Sequence, residues 1–169
     1  MYNELTAVDI KKMKEEIDYR ANELRPKLSD DVKEARSLGD LSENAEYRSA
    51  RRAFGRNESR IRFLQKMIRT AKVISTESAP DEVGLFDKVE VVYEDTGEVE
   101  VIRLSTTTRL DLNNSVYSKE SPFGKAILGH KVGDRVFVKI TEDNFYYVTI
   151  KSIVKGEDDE SIPLNGYWL

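Results

Sequence analysis

No cysteine occurs in the chain, and its only histidine is His130. The first absence excludes a disulfide framework and thiolate metal sites, and the second removes the common zinc constellations. Apolar runs are short, and none approaches the roughly 20 residues that span a bilayer. The first residues, Met1 to Leu5, lack the basic and apolar regions of an export signal. Together these gaps predict a soluble, cytoplasmic protein without membrane association. Glycine and proline are sparse as well, with 9 and 4 among 169 residues. That scarcity makes Gly39, the only glycine ahead of Gly55, informative.

Charge is what the chain has in quantity: 34% of residues are Asp, Glu, Lys or Arg, with a net charge of −4. It is unevenly spread. Residues 41–75 carry 9 basic and 3 acidic side chains, whereas residues 76–169 carry 10 and 18. A basic block inside an acidic chain is a candidate phosphate surface, with a solvated helix face as the ordinary alternative.

The first 75 residues read as two helices. Thr6 can cap the first, with Asp9 favoured by the helix dipole. Its apolar stripe runs Met13, Ile17, Ala21, Leu24, Leu28, Val32 and Ala35, in steps of three and four. Pro26 removes a backbone donor and predicts a kink, but the stripe passes it in phase, so one kinked helix is expected. Gly39 suits the close of that helix, and Asp40 can supply the acceptor that starts the next. The second stripe, Ala50, Phe54, Asn57, Ile61, Leu64, Ile68 and Ala71, is a heptad seam interrupted by a register-setting asparagine. Two helices of about 30 residues joined by a tight turn make an antiparallel hairpin about 45 Å long.

Residues 76–84, with Pro80 and Gly84, read as a linker. Beyond it the period becomes alternating, with strands over 86–93 and 98–104 around an Asp95-Thr96-Gly97 turn. Ser121-Pro122 opens a short helix that ends near Gly129, and strands follow at 135–140 and 145–154. Residues 85–155 thus form a compact α+β domain. The tail, 156–169, joins an acidic run, Glu157 to Glu160, to apolar residues ending in Trp168-Leu169. It can dock on the chain's own sheet or on a partner, and self-docking is favoured because buried aromatic area is an easy source of stability.

Chemistry concentrates at the turn of the hairpin. Asp40, Glu43 and Glu46 place three carboxylates within seven residues at an exposed tip. The spacing Asp-x-x-Glu also suits a capping box, and the two roles are compatible because a capping carboxylate uses only some of its lone pairs. Mg²⁺ demands octahedral oxygen coordination, so two or three carboxylates hold it weakly unless another macromolecule completes the shell. Behind the acids lie Arg48, Arg51, Arg52, Arg56, Arg60 and Arg62, with Arg36 across the hairpin. Arginine matches phosphate oxygens in bidentate geometry, and helix two has few acids to neutralise these.

The stretch Gly39-Asp40-Leu41-Ser42-Glu43-Asn44-Ala45-Glu46-Tyr47, followed by Ala50-Arg51, resembles the hairpin tip of the bacterial Gre transcript cleavage factors. Ser121-Pro122-Phe123-Gly124-Lys125-Ala126-Ile127-Leu128-Gly129, with Val132-Gly133-Asp134 after it, is similar to that family's C-terminal domain. The resemblance implies an α+β chain: an N-terminal antiparallel coiled-coil hairpin over 1–75 and a small C-terminal FKBP-like antiparallel sheet with a short helix over 85–155. It implies an elongation factor whose globular domain binds bacterial RNA polymerase and whose coiled coil enters the secondary channel. There it would stimulate Mg²⁺-dependent cleavage of the backtracked nascent RNA 3′ end. By motif position Asp40 and Glu43 would help hold the shared Mg²⁺. Arg36, Arg48, Arg51 and Arg52 would contact RNA or phosphate, and Gly39, Asn44, Glu46 and Tyr47 would shape the tip. Such a protein is an accessory factor rather than an enzyme, and a monomer is expected. Arg52-Ala53-Phe54-Gly55-Arg56 departs from relatives, which commonly carry Glu or Gln there, and the tail past Lys155 has no recognised counterpart.

Three other readings stay open on sequence. One is a Gre-like channel binder that regulates or inhibits polymerase without cleavage. Another is a prolyl isomerase, which needs an aromatic-lined pocket and rests on fold analogy alone. The third is a plain coiled-coil module whose tip acids serve only as caps.

Overall fold

A computed structural model describes residues 3–40 and 44–166. The chain divides into two compact units, one of residues 10–71 with 166–169 and the other of residues 1–9 with 72–165.

In the helical unit, helix α1 (Ala7–Tyr19) continues through a π-helical turn (Arg20–Leu24) into α2 (Arg25–Ser37). The backbone stays right-handed helical at both junctions, with φ/ψ of −57/−49° at Tyr19 and −58/−49° at Arg25. One helix therefore passes the proline, and the expected kink takes the form of a widened turn. Pro26 has no N–H and its ring crowds the carbonyl one turn back. Just before it, the Arg25 N–H donates to the Arg20 carbonyl, five residues back instead of four.

The returning helix, α3 (Ala45–Arg69), is 25 residues long. Its seam is inward as the heptad requires, with Asn57, Ile61 and Leu64 buried and Met13 and Ala35 buried on the outgoing arm. Asn57 faces the π turn: its Nδ2 donates to the Arg20 carbonyl and its Oδ1 accepts from Arg20 Nη1, both at 3.2 Å. Around it, Glu16 accepts both Arg60 Nε at 2.9 Å and Arg20 Nε at 2.7 Å. Burial pushes the Glu16 carboxyl up, but the Arg60 and Arg20 guanidinium groups outweigh it and hold it below the ordinary range. Arg25 grips Glu58 across the arms in a two-pronged pair at 2.7 and 3.0 Å.

The second unit is built on a five-stranded sheet. Its strands are β3 (Lys88–Tyr93), β4 (Val99–Ser105), β5 (Val116–Ser118), β6 (Arg135–Lys139) and β7 (Phe145–Val154), in the order β5-β4-β3-β7-β6. Three pairings are antiparallel, as expected. The β4–β5 pairing is parallel, so the sheet is mixed. Strand β5 has three residues, too few to show an alternation in sequence. Helix α4 (Pro122–Ile127) begins as its Ser-Pro start predicts, Ser121 Oγ accepting from the Gly124 N–H at 2.9 Å. Phe123 and Ile127 from this helix join Val89, Val91, Ile102, Leu104, Val148 and Ile150 in the core.

The hairpin expected over 1–75 gives its first residues to this sheet unit. Strand β1 (Glu4–Leu5) pairs in parallel with β2 (Lys72–Val73), and Leu5 is fully buried. Thr6 and Asp9 form a reciprocal cap: the Thr6 N–H donates to Asp9 Oδ2 at 2.9 Å and the Asp9 N–H to Thr6 Oγ1 at 3.2 Å. The other oxygen of Asp9 meets the Nε of the fully buried Arg109 at 2.5 Å. The Arg109 guanidinium lies 4.6 Å from the Phe86 ring centre and also binds Asp158. The tail is thereby part of this unit as far as Asn165. Ile162 enters the core and the Asn165 N–H donates to the Thr108 carbonyl at 2.7 Å. The aromatic end expected to drive docking, Tyr167-Trp168-Leu169, lies outside the described residues.

Candidate functional site

The tip is built where α2 hands over to α3. The Leu38 N–H makes the last contact of α2, with the Ala35 carbonyl at 3.4 Å. Gly39 follows at φ +136°, a conformation that costs a side-chain-bearing residue strain. Among the described residues beyond its chain neighbours, no atom lies within 4 Å of where a Cβ would stand, so backbone angle and not crowding calls for glycine.

Asp40 does not start the second helix. The connection runs from Leu38 to Asn44, longer than a tight turn, and Asn44 is the cap: its Oδ1 accepts from the Tyr47 N–H at 2.9 Å. A cap must immediately precede the first helical residue, and four residues separate Asp40 from Ala45. This overturns the capping-box reading for Asp40, while Glu43 lies outside the described residues. Asn44 was expected only to shape the tip. It does so by bridging both arms, since its Nδ2 also donates to the Ala35 carbonyl at 2.7 Å. An asparagine just ahead of Ala45-Glu46 was a readable cap signal, masked by the earlier aspartate.

Asp40 is exposed, on the loop side of Gly39. Glu46, in the first turn of α3, is exposed and lines a groove with Asp31, Glu34 and Leu38. Among the described residues, no three acids or histidines converge to hold a metal ion on their own.

Tyr47 organises the basic side. Its half-buried ring lies 5.8 Å from the guanidinium carbons of both Arg36 and Arg51, and its hydroxyl accepts from Arg36 Nη2 at 3.4 Å. That hydrogen bond from Arg36, with the charge of Arg51, lowers the phenol below its usual range. Two arginines from opposite arms are thus gathered on one ring in a cation–π arrangement. Arg48, Arg52 and Arg56 are exposed and form no ion pair with a described residue. Arg60 leaves the expected basic surface: it is buried and holds Glu16 through two hydrogen bonds. Helix two does have few acids, but Glu16 comes from the opposite arm. Arg62 is exposed and donates to Ser59 Oγ at 3.1 Å.

The family model described as "Transcription elongation factor, N-terminal" matches residues 3–73, and "Transcription elongation factor, GreA/GreB, C-term" matches residues 75–155. Transcription elongation factor GreA of Thermotoga maritima is 39% identical over 135 residues, covering 80% of this chain and 86% of that protein. GreA of Oenococcus oeni is 35% identical over 154 residues, covering 90% and 95%. The crystal structure of GreA factor homolog 1 of Thermus thermophilus aligns with a TM-score of 0.40 at 21% identity, covering 90% of this chain and 98% of that one. The chain belongs to the GreA/GreB family of transcription elongation factors.

Proposed function

We propose that this elongation factor binds bacterial RNA polymerase through its sheet unit and brings the hairpin tip to the enzyme's active centre, where it stimulates hydrolysis of backtracked RNA. The observation that carries the reading is the capping of α3 by Asn44, which places Asp40 outside the helix at the exposed tip. Asp40 and Glu43 would hold a Mg²⁺ jointly with polymerase, since two carboxylates leave most of an octahedral shell to another ligand set. Such an ion stabilises charge on the attacking and leaving oxygens when phosphodiesters are hydrolysed. The pair Arg36 and Arg51, fixed on Tyr47, with the exposed Arg48 and Arg52, would neutralise RNA phosphates beside it. Catalysis then belongs to the complex, with this chain, acting as a monomer, as the donor of acids. Its substrate would be the nascent 3′ end.

Adding the protein with Mg²⁺ to a halted elongation complex should shorten the RNA from its 3′ end. Asp40→Asn should still bind polymerase and fold normally but lose stimulated cleavage, because asparagine keeps the size and loses the charge. RNA that stays full length while the wild-type protein is bound would instead favour a channel regulator without cleavage. Undiminished cleavage by Asp40→Asn would remove the metal role.

A further inference from the structure

The two edges of the sheet differ. At β5 the Val116 N–H donates to the Asp111 carbonyl at 2.9 Å and the Asp111 N–H to the Val116 carbonyl at 3.2 Å, so that edge is occupied. At the opposite edge β6 has one strand neighbour, β7. The Ile150 N–H donates to the Asp134 carbonyl at 3.0 Å and the Ile140 N–H to the Asn144 carbonyl at 2.9 Å. Between them Val136 pairs with Val148 and Val138 with Tyr146. Backbone groups alternate in an antiparallel ladder, so those of residues 134, 136, 138 and 140 point to β7. The N–H and carbonyl groups of Arg135, Phe137 and Lys139 point away from it. No hydrogen bond outside the ladder reaches them from a described residue.

The side chains of these three residues lie on the outer face, because Val136 and Val138 between them are buried. Phe137 is 46% exposed there and Phe145, on β7, 54%. The Phe137 ring centre lies 5.5 Å from that of Phe145 and 5.2 Å from that of Tyr147. An open strand edge beside exposed aromatic rings is a template for another strand. Arg135 and Lys139 flank Phe137, and their acids, Glu94 and Glu142, make only exposed pairs, which are weak.

A second copy is a poor occupant. Antiparallel pairing of β6 with itself about Phe137 would set Arg135 against Lys139 of the second copy, twice over, and like charges directly opposite destabilise a ladder. We propose that this edge takes up an extended segment of another protein as an added strand, in which two acids flank an apolar residue at alternate positions. Side chains two positions apart share a face, so the apolar residue meets Phe137 and the acids meet Arg135 and Lys139. The pattern reads alike in both directions and serves a parallel or an antiparallel strand. It uses the face turned away from α4 and the core, goes beyond the cleavage reading and does not depend on it.

The test uses the full chain with a capped heptapeptide, Thr-Glu-Thr-Val-Thr-Glu-Thr, and the control Thr-Lys-Thr-Val-Thr-Lys-Thr. In the free protein, amide hydrogen exchange by NMR should be fast at Arg135, Phe137 and Lys139 and slow at Val136 and Val138. Saturation with the glutamate peptide should slow the three fast amides about tenfold, and the lysine peptide should bind about tenfold more weakly. Phe137→Ala should weaken binding several-fold, and Arg135→Glu combined with Lys139→Glu should reverse the preference between the peptides. Equal binding of the two peptides by the unaltered chain, or no slowing at about millimolar peptide, overturns the proposal. So does slowing in the free protein that grows with its concentration, which would assign the edge to a second copy. The peptide comparison needs no variant, so it decides the matter even if a variant fails to fold.

Discussion

The side-chain amide of Asn57 donates to the backbone carbonyl of Arg20 at 3.2 Å, from one arm of the hairpin to the other. That carbonyl opens the π-helical turn, so the polar residue in the seam is matched to the one place where the opposite helix widens. Asn57→Leu should therefore take one donor from a half-buried carbonyl that keeps only the Arg25 N–H, and one acceptor from the Arg20 guanidinium. A loss of about 1–3 kcal/mol in chemical denaturation is expected, although leucine is the better seam residue elsewhere. An unchanged midpoint would show the match to be incidental.

Glu16 ties the same region to pH. Its carboxyl is lower in the folded chain than the ordinary 4.5, so it contributes stability that is present above 4.5 and lost as pH falls through the folded value. Glu16→Gln should cost about 2 kcal/mol at neutral pH. The gap between wild type and variant should then narrow below about pH 4.5, followed by denaturation at several pH values. A gap that stays constant into acid would exclude an ionised Glu16 as the cause.

Asn44 joins stability to activity. Asn44→Ala removes the α3 cap and the bond to Ala35, at a cost of about 1–2 kcal/mol. Asn44→Asp should keep the cap but cannot donate to Ala35. If the bridge positions Asp40, RNA cleavage in halted complexes should fall in both variants, and polymerase binding should not.

The Arg109 cluster predicts a coupling between the chain's two ends. Asp9→Ala leaves the buried guanidinium leaning on Asp158 alone for a carboxylate among the described residues and should destabilise by about 3 kcal/mol. Ending the chain after Lys155 removes Asp158 from the same arginine and Ile162 from the core. Because each change alone leaves Arg109 one carboxylate and only both together leave it none, combining them should cost more than the two separately, as thermal denaturation would reveal. Strict additivity would mean the tail and the helix start are held independently.

Much of this arrangement was readable residue by residue. The seam from Ala50 to Ala71, the strands of the second unit and the Ser121-Pro122 helix start all appear in neighbouring residues, because helix and strand periods are local. The family was readable too, through the unusual composition of the stretch from Gly39 to Tyr47. Strand β5 carries no such local signal, being three residues long and paired in parallel with β4. Arg60 reads as a surface residue from its neighbours alone, because its acid, Glu16, is 44 positions away.

Periodicity and turn residues alone were enough to establish a helical hairpin with an acidic point and a basic flank, followed by an α+β unit. Those features depend on how each residue sits against its near neighbours along the chain. Folding in three dimensions settled which charges stay outside and which are consumed. Arg109 meets Asp9 across 100 positions, Arg60 turns inward to Glu16, and Asn44 reaches back to Ala35. Such pairings arise because a buried charge or polar group must find a partner wherever the packed chain places one, and sequence distance has no bearing on that requirement.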